Sequence, residues 1–156
     1  ALALPATGMA VAVDVGDRDD IHPTNKQEVG RRLALLARKQ VYGETALAAH
    51  GPTFVAAKPL PGALRVELAH ADGLRSAAAG EPIMGFEVAG SDRRYFTAAA
   101  RVEGQSIVVS APNVKKPLAV RYAWSDAPVA NLVNGAGLPA APFRSDRWPG
   151  ATEGRE

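Results

Sequence analysis

The spacing of apolar residues changes near Gly51, and that change sets what the chain can fold into. Beyond it, apolar residues alternate over short runs: Thr53-Phe54-Val55-Ala56, Leu64 to Leu68, Phe86-Glu87-Val88, Phe96 to Val102, Ile107-Val108-Val109 and Leu118 to Trp124. Turn residues separate them, at Pro59 to Gly62, Asp72-Gly73, Gly90-Ser91-Asp92, Glu103-Gly104-Gln105 and Pro112-Asn113. Short strands at this spacing predict an antiparallel sandwich or barrel. Alanine is a poor strand former, so Ala77-Ala78-Ala79 weakens the pattern locally.

Before Gly51 the pattern is of another kind. Met9 to Val15 is an almost unbroken apolar run ending at Gly16, as expected for a strand buried on both faces of a parallel sheet. The acidic loop Asp17-Arg18-Asp19-Asp20 follows. A helix is then expected from Pro23 onward, capped by Thr24 with Gln27 completing a capping box. Val29, Leu33, Leu36, Ala37 and Val41 make its buried stripe, and Gly43 ends it. Strand, loop and capped helix read as the end of an α/β unit. The expected organisation is α/β plus β: residues 1–45, a β-sandwich-like region over 46–129, and an extended tail over 130–156, with the first boundary between 43 and 52.

Composition removes several function classes. The 18 Lys+Arg and 16 Asp+Glu are interspersed, and no basic block is interleaved with aromatics, so nucleic-acid binding is not expected. There is no cysteine, and His22, His50 and His70 stand far apart, so neither a metal nor another cofactor is expected. No apolar run approaches the roughly 20 residues of a membrane-spanning helix. Ala1 to Pro5 has no basic flank and does not read as a signal peptide; it reads as a chain entered in mid-fold.

The chemistry lies in Asp19-Asp20-Ile21-His22-Pro23. A serine hydrolase needs a histidine to take the hydroxyl proton and a carboxylate to fix the ring and stabilise the imidazolium. A D-x-x-H quartet on one loop after a final strand supplies both, with Ile21 anchoring the loop inward and Pro23 stiffening its exit. The bland alternative is an acidic pair ahead of a helix N-terminus, where the dipole favours negative charge. Gly104-Gln105-Ser106 imitates a nucleophile motif, but Ile107-Val108-Val109 follows it and Glu103-Gly104-Gln105 reads as a hairpin turn. His70 reads as a strand end and His50 as a solvated linker residue. Arg144 and Asp146 read as an ion pair fixing the tail, with Arg144 facing a sugar carboxylate as the alternative. Tyr122 and Trp124 read as core residues of a strand, with stacking on a sugar ring as the alternative.

The longer string Asp20 to Ala34, Asp-Ile-His-Pro-Thr-Asn-Lys-Gln-Glu-Val-Gly-Arg-Arg-Leu-Ala, resembles the terminal catalytic block of the sialate O-acetylesterase family within the SGNH hydrolases. Leu4 to Asp14 looks like that family's final catalytic-domain strand. Val120 to Trp124, Asn131-Leu132-Val133-Asn134, Gly137-Leu138-Pro139 and Pro142 to Asp146 are similar to its ending. The resemblance implies that residues 1–45 are the last strand, catalytic loop and helix of an SGNH-type α/β domain, with the tail packing back on it. It implies hydrolysis of acetyl esters on sugar hydroxyls, as in an O-acetylated sialic acid or another glycan, without a cofactor. His22 would be general base and then general acid. The D-x-x-H spacing favours Asp19 as its acid, the family pattern favours Asp20, and Asp17 is a weaker third candidate. The nucleophile would precede Ala1, so a partner chain or segment carrying that serine is expected. A periplasmic or secreted location rests on the resemblance alone. Two alternatives remain: an acetylesterase of xylan or another polysaccharide, and a non-catalytic carbohydrate-binding β module, which would leave Asp19 to His22 without a purpose.

Overall fold

A computed structural model describes residues 2–150 and 153–154, so Ala1 and the last part of the expected tail lie outside the described residues. It contains one helix, α1 (Lys26–Gln40), and ten strands: β1 (Thr53–Leu60), β2 (Ala63–Ala69), β3 (Arg75–Ser76), β4 (Phe86–Ala89), β5 (Tyr95–Thr97), β6 (Ala99–Glu103), β7 (Ser106–Ser110), β8 (Ala119–Tyr122), β9 (Leu132–Val133) and β10 (Phe143–Arg144). All the strand pairs are antiparallel. They form two four-stranded sheets, ordered β1-β2-β7-β6 and β10-β8-β4-β5, and a small β3-β9 pair.

Alternation decides the core. Leu64, Val66 and Leu68 of β2 and Ile107 and Val109 of β7 point inward from one sheet. Phe86 and Val88 of β4 and Val120 and Tyr122 of β8 do so from the other. Pro59 is tolerated because β1 is an edge strand, where a missing N–H breaks no interior ladder. Gly62 and Gly104 take φ of +71° and +63° in the tight β1–β2 and β6–β7 connections. Such left-handed values cost glycine no steric penalty.

Several expectations are corrected, among them the helix's buried stripe, of which Leu36 is buried while Leu33 and Val41 are exposed. Met9 to Val15 is not a strand. It runs as irregular chain with Met9 exposed, because among the described residues no sheet edge lies beside it to pair its backbone. An apolar run reads alike whether or not that edge is supplied. The helix cap is Asn25, whose side chain accepts from the Glu28 N–H at 3.2 Å, and not Thr24. Thr24 instead uses its carbonyl to receive the Lys26 N–H. Finally, much of the stretch read as an extended tail is built into the β layers. β9 pairs with β3, β10 pairs with β8, and Phe143 stacks on Phe54 at 4.6 Å, joining the outermost strands of the two sheets. Two-residue strands leave no period to read.

Asparagines hold this returning segment. Asn131 accepts from the Met84 N–H and donates to Ser76 Oγ and the Pro82 carbonyl. Asn134, buried, donates to the carbonyls of His50 and His70 at 3.0 and 3.1 Å and accepts from the Leu138 N–H. The His50 and His70 rings stack above it, 4.9 Å apart. His50 is therefore half-buried and not a solvated linker residue, while His70 does fall at the end of β2.

Replacing Asn134 by Ala strips two carbonyls and one N–H of their partner. Each unmet buried group costs about 1–3 kcal/mol, so a loss of about 3 kcal/mol is expected in urea unfolding. A loss below about 1 kcal/mol would contradict the role given to Asn134.

Burial, then the charges of His70 and Lys39, hold the His50 pKa below its ordinary value. The folded chain takes up this proton less readily than the unfolded one. Stability is therefore full above about pH 6.5 and declines as pH falls below it. The Tm of the native chain should fall between about pH 7.5 and about pH 5.5, and His50→Phe, which keeps a ring against His70, should flatten that fall.

Candidate functional site

The acidic loop is shaped by its own side chains. Asp17 Oδ1 accepts the Asp19 N–H at 2.9 Å, and Asp20 Oδ1 accepts the His22 N–H at 2.8 Å, two successive turns closed by aspartates. The second turn folds the Asp20 carboxylate back beneath the imidazole, with Oδ1 3.4 Å from His22 Nδ1. Asp19 makes no such contact; its part in the loop is the N–H given to Asp17. Of the residues read as candidates, the structure thus brings together Asp20 and His22. Both face solvent, their side chains being 59% and 81% exposed. Ile21 does not anchor the loop inward; it is 90% exposed. Among the described residues no serine hydroxyl bonds to the His22 ring.

What fixes the loop is a residue not singled out in the sequence. Arg32 is only 4% exposed. Its guanidinium forks onto both Asp14 oxygens at 2.6 and 2.7 Å, donates to the Val11 carbonyl at 2.6 Å, and places Nε on Glu28 at 2.8 Å. The Asp14 bond outweighs burial and, with Glu28, raises the Arg32 pKa. The bond from Arg31, and after it that from Arg32, in turn hold the Glu28 carboxyl at about 2 against the cost of burial. One buried fork therefore ties the chain entering the loop to the helix leaving it. The available signal was a second arginine, one helical turn after Glu28, on the face that also carries Val29 and Leu36.

The remaining candidates divide. Gly104 and Gln105 form the β6–β7 turn, with Glu103 paired to Ser106, so Gly104-Gln105-Ser106 is a hairpin. Tyr122 is buried, and its hydroxyl accepts the Leu132 N–H at 2.9 Å. Burial pushes its pKa up to about 12. Trp124 is not a core residue; it is 46% exposed. Arg144 and Asp146 form the expected ion pair, inside a wider cluster in which Tyr95 donates to Asp146 at 2.5 Å. Burial opposes the Asp146 charge, but Tyr95, Arg144, the Trp148 N–H and Arg121 together hold its carboxyl at about 2. Among the described residues no group of three His, Asp or Glu is placed to hold a metal, and no helix is long and apolar enough to cross a membrane.

This fold, mostly antiparallel sheet with one helix, matches part of a solved carbohydrate acetylesterase. A solved carbohydrate acetylesterase from Xanthomonas citri is 45% identical to the chain and superposes with a TM-score of 0.89, over 94% of this chain and 34% of that one. Mouse and human sialate O-acetylesterases are each 51% identical to it over 53 residues, which is 31% of this chain and 10% of each relative. The resemblance to the sialate O-acetylesterases read in the sequence is therefore found by alignment as well. The chain spans about a third of the solved relative's length and aligns with about a tenth of the curated ones. No protein-family model matches the chain.

Removing the Arg32 fork leaves Asp14 without its partner and Glu28 with Arg31 alone. Arg32→Leu is expected to cost about 3 kcal/mol, since breaking a desolvated ion pair from one side leaves a charge behind. Urea unfolding of the variant beside Arg31→Leu, whose fork lies on the surface, would check this; equal losses would refute it.

Proposed function

We propose that the chain is the C-terminal part of a carbohydrate O-acetylesterase of the sialate O-acetylesterase kind, acting through a Ser-His-Asp triad whose serine lies outside these 156 residues. In this reading residues 1–45 complete an SGNH-type α/β domain supplied by an N-terminal chain or segment. The pairing of His22 with Asp20, in a chain similar to named acetylesterases, is the observation that carries it.

The chemistry follows from the two residues. His22, neutral, takes the serine proton on Nε2 as the serine oxygen attacks the acetyl carbonyl. The imidazolium passes that proton to the departing sugar oxygen, leaving acetyl-serine. Water then attacks, its proton going to His22 and on to the serine, and acetate leaves. Asp20, beside Nδ1, holds the ring in the useful tautomer and stabilises its charge. The 3.4 Å contact favours Asp20 over Asp19 as the triad acid. The substrate is an acetylated sugar; the name of the Xanthomonas citri relative supports glycans more widely than sialic acid.

The test is acetate release by the complete enzyme. His22→Ala should lower kcat at least a thousandfold, and activity kept within about tenfold would sink the proposal. Asp20→Asn should cost far more than Asp19→Asn, on the order of 10⁴ for a triad acid lost in this way; the reverse order would move the role to Asp19. Acetate release from O-acetylated sialic acid beside acetylated xylan chooses the substrate.

A further inference from the structure

Trp124 stands where strand alternation would not put it. Two residues after buried Tyr122, it should share that inward face. Instead Ala123 adopts φ +50°, gives its N–H to the Gly85 carbonyl at 2.9 Å, and swings the chain out so that the indole is exposed. A left-handed alanine costs about 1–2 kcal/mol, and strain of this sort collects at ligand clamps. Beneath it Gly85, at φ +95°, lets β4 begin hard against the following loop. A Cβ at Gly85 would lie 3.1 Å from both Ala130 Cβ and the Val129 carbonyl.

These two departures open a cleft of about 340 Å³. Met84, Trp124 and Val129 give it an apolar face that is partly open to solvent, and Glu87, Thr97 and Ser125 put a carboxylate and two hydroxyls among its lining. The Arg144 guanidinium sits over the indole, 5.9 Å from its centroid. Pro128 and Val129 also line a second cleft, of about 430 Å³, whose far side is Ala12 to Arg18 at the start of the acidic loop. The two clefts thus share Pro128 and Val129 as a wall, and the second reaches Asp17 and Arg18 of the acidic loop.

We infer that the Trp124 cleft is a glycan subsite that takes a pyranose ring adjoining the acetylated one. A pyranose has an apolar C–H face and a rim of hydroxyls. The indole matches the first, and Glu87, Thr97 and Ser125 match the second. The inference rests on the esterase reading for its place beside the acetylated sugar, and on the cleft alone for its affinity.

The experiment is calorimetric titration of the full-length enzyme with two unacetylated probes, a xylo-oligosaccharide and a sialyl-oligosaccharide. Binding of at least one is expected. Trp124→Ala should weaken it about tenfold or more, the equivalent of 1.4 kcal/mol. Trp124→Tyr should keep most of the affinity, and Leu118→Ala, exposed and outside the cleft, should keep all of it. No binding of either probe, or equal affinity in native and Trp124→Ala enzyme, would overturn the subsite, as expected if another part of the polypeptide covers the cleft. Native activity on 4-nitrophenyl acetate, which carries no sugar, reads the esterase proposal separately. Its absence would sink that reading and leave the binding result standing.

Discussion

The Asn134 carboxamide joins parts of the chain that share no ladder. One nitrogen serves two carbonyls, of His50 at the end of the linker and of His70 at the end of β2, while the oxygen receives Leu138 of its own turn. Two-residue strands cannot hold a segment by backbone bonds alone, since each contributes too few bonds to offset the ordering of its residues. Side chains make up the difference. With Asn131 doing the same at Met84, Ser76 and Pro82, residues 131–144 become a strap that carries Phe143 into the aromatic core. Gly51 shows how tightly the strap lies: a Cβ there would be 1.9 Å from the Pro139 carbonyl oxygen.

Two guanidinium clusters extend the same logic to the chain's ends. Arg32 gathers Val11, Asp14 and Glu28 around the acidic loop, and Asp146 gathers Tyr95, Arg121 and Arg144 at the far end. In each case a largely desolvated group is kept because several partners share it, the condition under which such groups are tolerated. Glu28 and Asp146, both held at about 2, stabilise the fold above the ordinary carboxylate range and lose that contribution only as pH falls toward 2. His50 responds at much milder pH, so the two effects occupy separate windows.

How much of this was legible depended on whether a residue acts through its period or its partner. Val66, Val88, Ile107 and Val120 alternate, and their strands were readable. Gly104 was readable as a turn because a strand follows it. Met9 to Val15 misled because an apolar run records only that the segment avoids water; pairing requires an edge that the run does not encode. Asn131 and Asn134 were visible as a motif, but their partners outside their own turn lie 47 to 84 residues away, and no local rule points there. Trp124 failed for a local reason. Alternation assumes ordinary φ at each step, and one left-handed alanine reverses the face of everything after it. For the candidate site, His22 was readable from its spacing, whereas the geometry at Asp20 depends on a turn that closes through a side chain.

The acidic loop is firm at both ends and loose in the middle. Arg32 pins its entrance through Val11 and Asp14, and the Asn25 cap pins its exit at α1. Between them the Asp20–His22 pair is held by a single aspartate turn, with both side chains open to water. In that setting a carboxylate–imidazole contact is weak, because solvent screens it and the ring can turn. A triad needs the opposite: a dry, preorganised imidazole. On the proposed reading the missing part is supplied by the chain that carries the serine. Leu33, Val41, Tyr42 and Ile21 are large side chains left exposed on α1 and its flanks, surface that such a chain would cover. The loop's ends would then set where His22 sits, and the incoming surface would set how rigidly it is held. Catalysis would thus depend on assembly even though both residues of the half-site belong to one chain.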